Sequence, residues 1–232
     1  MNIANPNLIP ESVNGLELGW DFKTEKSKTS LTYFSDQISN MIATSSFTNA
    51  NEPAQVASLC GTLSSTSCGP SVNYYTNNQN GQSNGIELTH KWMYSDRLTF
   101  DGFVTYTNTY LTSAWNGVTT PLNTQLAGIP HITASLSATW KMDAKTQLFV
   151  QSYYIGPLND SSSLSSSTVG NIQGGNNIIN GSVIYAMDKS TDVYLNATNL
   201  FNLAYQDSTY SSLSAQTLAP PRTLNVGLRY RF

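Results

Sequence analysis

The chain has 232 residues and a formal net charge of -3, and only 11% of its residues are charged, well under the roughly 25% of an ordinary soluble domain. Hydrophobic residues make up 39%, and no run approaches the ~18 apolar residues a membrane helix needs, so a helical membrane protein is excluded. The acidic balance argues against a general nucleic-acid binder.

The start, MNIANPNLIPES, lacks the cationic and apolar regions of a signal peptide. That fits a cytosolic protein, a mature chain or a fragment alike. Helical periodicity is almost absent, and alternation with period two dominates. The first predicted strand, 14–22, places Leu16, Leu18, Trp20 and Phe22 on one face and Glu17, Gly19 and Asp21 on the other. A second follows at 28–40. In the third, Ile86, Leu88, His90 and Trp92 alternate with Glu87, Thr89 and Lys91. In the fourth, Leu98, Phe100, Gly102, Val104 and Tyr106 alternate with Thr99, Asp101, Phe103 and Thr105. In the fifth, Ile132, Ala134, Leu136, Ala138 and Trp140 alternate with Thr133, Ser135, Ser137, Thr139 and Lys141. The pattern returns less cleanly at 146–156, 177–187 and 191–200, then cleanly at 222–232. The expectation is an all-β antiparallel meander of about nine strands.

Short polar turns are expected at 23–28, 93–97, 141–146 and 187–192. Long connections rich in Ser, Asn, Gly, Thr and Pro lie at about 40–80, 109–130, 157–176 and 205–220. Strict alternation of short and long gathers every long loop at one end, the arrangement of a transmembrane β-barrel. Trp20, Trp92, Trp140, Tyr185 and Tyr230 each fall one to three residues before a short turn or the chain end. They are read as an aromatic girdle, because Trp and Tyr favour the boundary between hydrocarbon and headgroup. The opposite face, with Asp21, Lys91, Gln147, Gln151, Asn180, Asn196, Arg229 and Arg231 among Ser, Thr and Gly, suits a wet interior. It is expected to be uniformly polar and weakly charged.

The two cysteines, Cys60 and Cys68, have neither zinc-site nor redox-motif spacing. A loop disulfide in an oxidising compartment is the favoured reading, with two free thiols as the alternative. No GxSxG, phosphate loop or HExxH is present, so no catalytic residue is assigned. His90 and His131 are isolated, and no metal site or cofactor is expected. Asn159, Asn180 and Asn196 open formal glycosylation sequons that are read as chance, two of them inside strands.

NPNLIPESVNGLELGWDF followed by LTYFSDQISNMI resembles the barrel of TonB-dependent outer-membrane receptors, through Asn5, Pro6, Asn7, Leu8, Pro10, Glu11, Glu17, Gly19, Asp36 and Ile38. SNGIELTHKW, LAGIPHITASLSATW (Gly128, Pro130), YYIGP and NATNLFNLAY (Asn199, Leu200, Phe201, Tyr205, with Asn202 where the family has Asp) are similar to further segments of that barrel, in the same order. PPRTLNVGLRYRF is similar to its closing strand, through Pro221, Arg222, Gly227 and Phe232.

The resemblance implies an incomplete, C-terminal part (1–232) of a 22-stranded barrel, with plug domain and TonB box absent. It implies a place in the bacterial outer membrane, contact with outer-membrane lipid, and TonB acting through the missing plug. Tyr230 and Phe232 would be the C-terminal signal for the barrel-assembly machinery. The implied function is TonB-energised uptake of a scarce ligand, an iron–siderophore complex first, with no nucleic-acid partner. Loop candidates for ligand contact are Tyr74, Tyr75, Tyr110, Trp115, Tyr205 and Tyr210, because aromatic edges and hydroxyls suit a large, partly apolar chelate. A passive porin-type barrel is the alternative. A soluble lectin-like or adhesin sandwich is disfavoured by the aromatic girdle and the terminal Phe. With an odd count, the first and last strands run the same way, so the chain is expected to present two open edges rather than a sealed barrel.

Overall fold

A computed structural model describes residues 2–3, 5–48, 71–114, 122–159, 172–208 and 217–232. Nine long strands carry the fold: β1 (Ser12–Lys23), β2 (Ser27–Thr48), β3 (Ser71–Met93), β4 (Leu98–Ser113), β5 (Ile132–Lys141), β6 (Thr146–Ile155), β7 (Asn176–Ala186), β8 (Thr191–Thr198) and β9 (Thr223–Tyr230). They hydrogen-bond in chain order, with β1 and β9 at the two ends of one sheet. From β4 through β9 each strand pairs antiparallel with the next. The expected nine-strand open meander is what forms. A two-residue strand, Asn2–Ile3, lies parallel to Asn73 and Tyr74 of β3. Two small ladders pair Leu158–Asn159 with Ile172–Gln173 and Gln206–Ser208 with Thr217–Leu218.

The strands run further than the alternation indicated. β2 has 22 residues and β3 has 23, about twice the 9–11 of a tilted membrane strand. Much of the connection expected at 40–80 is therefore strand. SNMIATSSFT and SVNYYTNNQNG carry no period-two hydrophobicity. Backbone pairing extends them, helped by side-chain bonds from Glu11, Asn77 and Asn80, and hydrophobic pattern cannot report a strand that lacks alternation.

The chain divides into two units. The first comprises Met1–Leu16, Ser35–Ser83 and Thr109–Leu126; the second comprises Glu17–Phe34, Asn84–Asn108 and Ala127–Phe232. All four short turns belong to the second, and all four are closed by one device. A side-chain oxygen accepts the backbone N–H groups two and three residues on, as in Asx and ST turns. Thr24 takes Lys26 and Ser27 at 3.3 and 2.9 Å. Ser95 takes Arg97 and Leu98 at 3.3 and 3.1 Å. Asp143 takes Lys145 and Thr146 at 2.7 and 2.8 Å. Asp188 takes Ser190 and Thr191 at 2.8 and 2.9 Å. Each turn is also laced to the next strand: the carbonyls of Lys26, Arg97, Lys145 and Ser190 accept from Met93, Lys141, Ala186 and Arg231.

These bonds hold the Asp143 carboxyl below the usual carboxylate range, led by the Lys145 and Thr146 N–H groups, and do the same for Asp188, led by Ser190 with Thr191. A lowered folded-state pKa adds stability that is present above the unfolded value and lost as pH falls through the folded one. Amide exchange at Lys145, Thr146, Ser190 and Thr191 should therefore accelerate beyond its intrinsic pH trend only below about pH 4. The caps made by Thr24 and Ser95 do not titrate and should show no such step.

Candidate functional site

Among the described residues, none forms a second layer against the apolar face. Among the described residues the buried hydrophobic side chains are Leu111, Ile178 and Ala197, whereas Leu18, Leu136 and Val226 are 60%, 61% and 75% exposed. In the second unit the ladders align this face across neighbouring strands. Val104 stands opposite Ala134, Gly102 opposite Leu136, and Leu136 opposite Ser152. Val183 faces Leu195, which faces Val226. Such a continuous exposed apolar surface marks an interface with apolar matter, since soluble monomers rarely carry one.

The five expected girdle aromatics, Trp20, Trp92, Trp140, Tyr185 and Tyr230, are all exposed on this unit. The register places Trp140 level with Leu98 and Leu148, and Tyr185 level with Thr146. Trp92 stacks on Phe100 at 5.8 Å and meets Tyr94 edge-on at 5.2 Å. Tyr230 meets Phe232 edge-on at 5.2 Å.

The polar face of the second unit is wired across the strands. Gln151 Nε2 donates to Ser135 Oγ at 3.1 Å, Asn180 Nδ2 to Gln151 Oε1 at 3.3 Å, and the Asn199 N–H to Asn180 Oδ1 at 3.1 Å. One step nearer the short turns, Ser182 Oγ donates to Asn196 Oδ1 at 2.6 Å. The face is not uniformly polar, as the sequence suggested. Phe103 and Tyr153 make an edge contact at 6.4 Å. The Tyr194 ring covers Gly227, where an added Cβ would lie 2.2 Å from the ring's Cζ and hydroxyl. The glycine thus leaves a slot that the cross-strand aromatic fills.

The cations of the last strand have a partner. Asp192, 4% exposed, accepts from Arg229 Nε at 3.0 Å and Nη2 at 2.6 Å on one oxygen. The same oxygen accepts from Arg231 Nη2. Two guanidiniums on one sequestered carboxylate fix β9 against β8 and leave a positive charge over. Lys91 pairs more loosely with Asp101, at 3.5 Å.

The segment after β8 is built around Asn199, which is buried and has φ of 50°. Its side chain donates to the Leu203 and Pro220 carbonyls at 2.8 and 3.3 Å and accepts the Leu203 N–H at 2.8 Å. Asn202, also at positive φ (56°), caps the Arg222 N–H at 2.9 Å. Asn199→Ala loses these bonds and forces a Cβ-bearing residue without a stabilising side chain into the left-handed region. The expected cost is about 2–3 kcal/mol, read as a lower urea midpoint. Asn199→Gly, which restores only the backbone freedom, should cost less.

In the first unit the NPNLIPE motif is a clasp. Asn5 Oδ1 caps the Asn7 N–H at 2.9 Å, and Asn5 Nδ2 donates to the Tyr75 carbonyl at 2.8 Å. Asn77 acts as a strand would toward Ile9, accepting its N–H at 2.9 Å and donating to its carbonyl at 2.8 Å. Glu11 accepts the Ile42 N–H at 2.6 Å. Asn40, at φ of 59°, donates its N–H to Asn80 Oδ1 at 3.2 Å.

Of the aromatics expected in loops, Tyr74 and Tyr75 lie instead in β3 and Tyr110 in β4, because those strands run on past the alternating segments; Tyr75 is exposed. Tyr110 is half-buried and donates its hydroxyl to Gln82 Oε1 at 3.0 Å. Both belong to the first unit, and Tyr205, half-buried, belongs to the second. Tyr74 is described through its backbone pairing with Ile3. Trp115, Tyr210, Cys60 and Cys68 lie outside the described residues. The histidines sit in local contacts: His90 Nδ1 bonds Thr29 Oγ1 at 2.8 Å, and His131 Nδ1 bonds the Thr107 carbonyl at 3.1 Å while stacking on Tyr106. Among the described residues no group of three or more His, Cys, Asp and Glu side chains is placed to hold a metal. Sequence reading missed the Asp192 clamp, the Asn199 hub and the turn caps. A repeated Met-Asp-x-x-Thr at 142–146 and 187–191 was a visible signal for the last of these.

A nine-strand antiparallel meander, apolar and uncovered on one face and hydrogen-bonded on the other, is the architecture of a portion of an outer-membrane barrel. The family described as TonB dependent receptor-like, beta-barrel, matches residues 1–232, and the chain belongs to it. Its members are outer-membrane transport receptors rather than enzymes. Among solved structures, it is similar to the FrpB iron transporter of Neisseria meningitidis (TM-score 0.73, 13% identity, 100% of this chain and 33% of that one). It is also similar to the ferric-catecholate import receptor Fiu of E. coli K12 (0.69, 15%, 98% and 29%). A third is the ferric yersiniabactin uptake receptor FyuA of Yersinia pestis (0.69, 15%, 96% and 30%). The chain thus spans about a third of the length of each. No curated protein matches it.

Proposed function

We propose that this chain forms the C-terminal part of the barrel wall of a receptor that takes up a scarce ligand under TonB energisation, with an iron–siderophore complex as cargo. The uncovered apolar face, with Leu18, Leu136 and Val226 exposed and aromatics at its short-turn margin, carries the reading. It needs hydrocarbon outside and water within. In this reading the 232 residues hold neither plug nor TonB box, and TonB acts through a plug they do not contain. The girdle is Trp20, Trp92, Trp140, Tyr185 and Tyr230, and Tyr230 with Phe232 presents the C-terminal mark to the assembly machinery. Tyr74, Tyr75, Tyr110, Trp115, Tyr205 and Tyr210 contact the ligand. Tyr110 would offer its ring, since its hydroxyl is engaged by Gln82. A Cys60–Cys68 disulfide closes a small loop.

The names of the structural neighbours, which include ferric-siderophore receptors, favour iron. The test is uptake of radioactive iron from a panel of siderophores in a receptor-deficient Gram-negative host expressing the native gene. Saturable uptake that vanishes in a tonB deletion supports the proposal. Unsaturable, TonB-independent passage of small solutes would instead identify a passive porin-type barrel.

A further inference from the structure

A histidine sits on the apolar face. By the alternation of β3, His90 shares a side with Ile86, Leu88 and Trp92, all three exposed. It stands two residues from Trp92, about 7 Å along the strand and roughly 5 Å inside the aromatic line once strand tilt is counted. Its Nδ1 is bonded to Thr29 Oγ1 at 2.8 Å, and among the described residues Nε2 has no hydrogen-bond partner. In hydrocarbon a polar group without a partner is costly. A molecule that meets Nε2 from the lipid side removes that cost.

His90 also walls a notch. A cavity of about 330 Å³ is bounded by Leu88, His90, Val104, Ala134 and Leu136, with Gly102 beneath them. That is the lower end of the ~300–1,000 Å³ range of small-molecule sites. The ladder sets Val104 opposite Ala134 and Gly102 opposite Leu136, so two small residues open a gap among branched ones. The notch lies wholly within the second unit.

The walls select the occupant. Exposed Leu88, Val104 and Leu136 give a sugar or an ion nothing to bond. A fatty-acid carboxylate would need a cation, and the strand lysines Lys91 and Lys141 alternate onto the opposite face. A partner strand would bring backbone groups that hydrocarbon leaves unpaired. An acyl chain is already present at this face if it meets the membrane, and an acyl ester carries an uncharged acceptor where the chain begins. His90, nearest the aromatic line among the residues of the wall, offers the matching donor.

We propose that this notch binds one glycerophospholipid. The Thr29 hydroxyl donates to Nδ1, which leaves the ring N–H on Nε2; that N–H donates to an acyl ester carbonyl, and the chain lies over Gly102 between Leu88, Val104 and Leu136. The proposal rests on the membrane reading above and adds one fixed lipid to it. The test uses the protein extracted in detergent from outer membranes of cells expressing the native gene and stripped of lipid. It is titrated with dioleoyl phosphatidylcholine or with the diether analogue, which lacks both carbonyls, and native mass spectrometry counts the lipid bound first. The expected result is one retained lipid, with the diester favoured about fivefold, the scale of one hydrogen bond. His90→Leu should abolish the preference. His90→Gln, which keeps an N–H at similar reach, should preserve it. Ala134→Leu fills the notch and should weaken both lipids alike. Equal retention of diester and diether, a preference that survives His90→Leu, or undiminished binding in Ala134→Leu overturns the proposal while leaving the membrane reading intact. Displacement by equimolar oleate also overturns it, assigning the notch to a free fatty acid. Binding of neither lipid overturns it as well; if tryptophan fluorescence in vesicles is then blind to brominated chains, the membrane reading itself fails.

Discussion

Leu136→Arg is expected to lower the stability of the membrane-inserted protein by about 2–4 kcal/mol, the cost of a guanidinium facing lipid near the bilayer midplane of a barrel. Leu136 lies four residues from Trp140 on the same face of β5, about 13 Å along the strand at ~3.3 Å per residue. With strand tilt this puts it roughly 10 Å below the aromatic line, within an apolar band about 25 Å tall. It is 61% exposed, so no packing contact competes with lipid as the source of the penalty. Thr139→Arg, on the opposite face of the same strand, meets water and should cost a few tenths of a kcal/mol at most. Urea midpoints in lipid vesicles give both numbers. Equal penalties on the two faces would mean that the apolar side of β5 does not meet hydrocarbon.

Asp192→Asn is expected to cost about 2 kcal/mol, more than an ordinary hydrogen bond. Hydrogen bonds to charged groups run at ~1.5–3 kcal/mol, and three donors from Arg229 and Arg231 converge on one oxygen. The figure stays below the ~3–5 kcal/mol for breaking a fully buried pair, because both arginines are half exposed. The damage should be local. β9 pairs with β8 over eight residue pairs, from Thr191–Tyr230 to Thr198–Thr223, and fraying should begin at the Asp192 end. Amide exchange at Leu228 and Tyr230 should rise while that at Leu224 changes little. In an Arg229→Gln/Arg231→Gln background the same substitution should cost well under 1 kcal/mol, since the charges it strands are gone. A full-size penalty in that background would place the role of Asp192 elsewhere.

The sheet was legible because one face is uncovered. A strand with hydrocarbon on one side and water on the other must alternate, and β1, β4, β5 and β9 do so almost without exception. The last third of β2 and the first third of β3 lack that alternation, which is why they read as loop. The short turns were visible from their polar residues, but their closing device was not. Thr24 and Ser95 use hydroxyls, Asp143 and Asp188 use carboxylates within the repeated Met-Asp-x-x-Thr, and all four share only the offset from backbone donors two and three residues ahead.

The candidate site divides in the same way. The proposed aromatic line is a matter of counting residues from each turn, and Trp20, Trp92, Trp140, Tyr185 and Tyr230 are all exposed. Asp192 is different. Its partners are 37 and 39 residues away, and nothing local distinguishes it from the other carboxylates near the turns. Asn199 and Asn77 were hidden for a related reason. Asn199 sits in a segment whose resemblance to the family was visible and Asn77 does not, yet what either side chain does, standing in for missing backbone partners, depends on which segments meet. Tyr110 shows the reverse case. It was expected in a loop as a ligand contact, and it lies in β4 with its hydroxyl given to Gln82.

Hydrocarbon against the face that carries Leu18, Leu136 and Val226 is the central requirement of a barrel-wall role. Of the four tryptophans in the chain, Trp20, Trp92 and Trp140 are expected at the margin of that face. In a Trp115→Phe background, the fluorescence of the protein in vesicles should be quenched most by lipids brominated near the headgroup. Quenching should weaken as the bromines move toward the chain ends, with little effect of aqueous acrylamide. Strong acrylamide quenching with no response to brominated lipid at any depth would contradict the account.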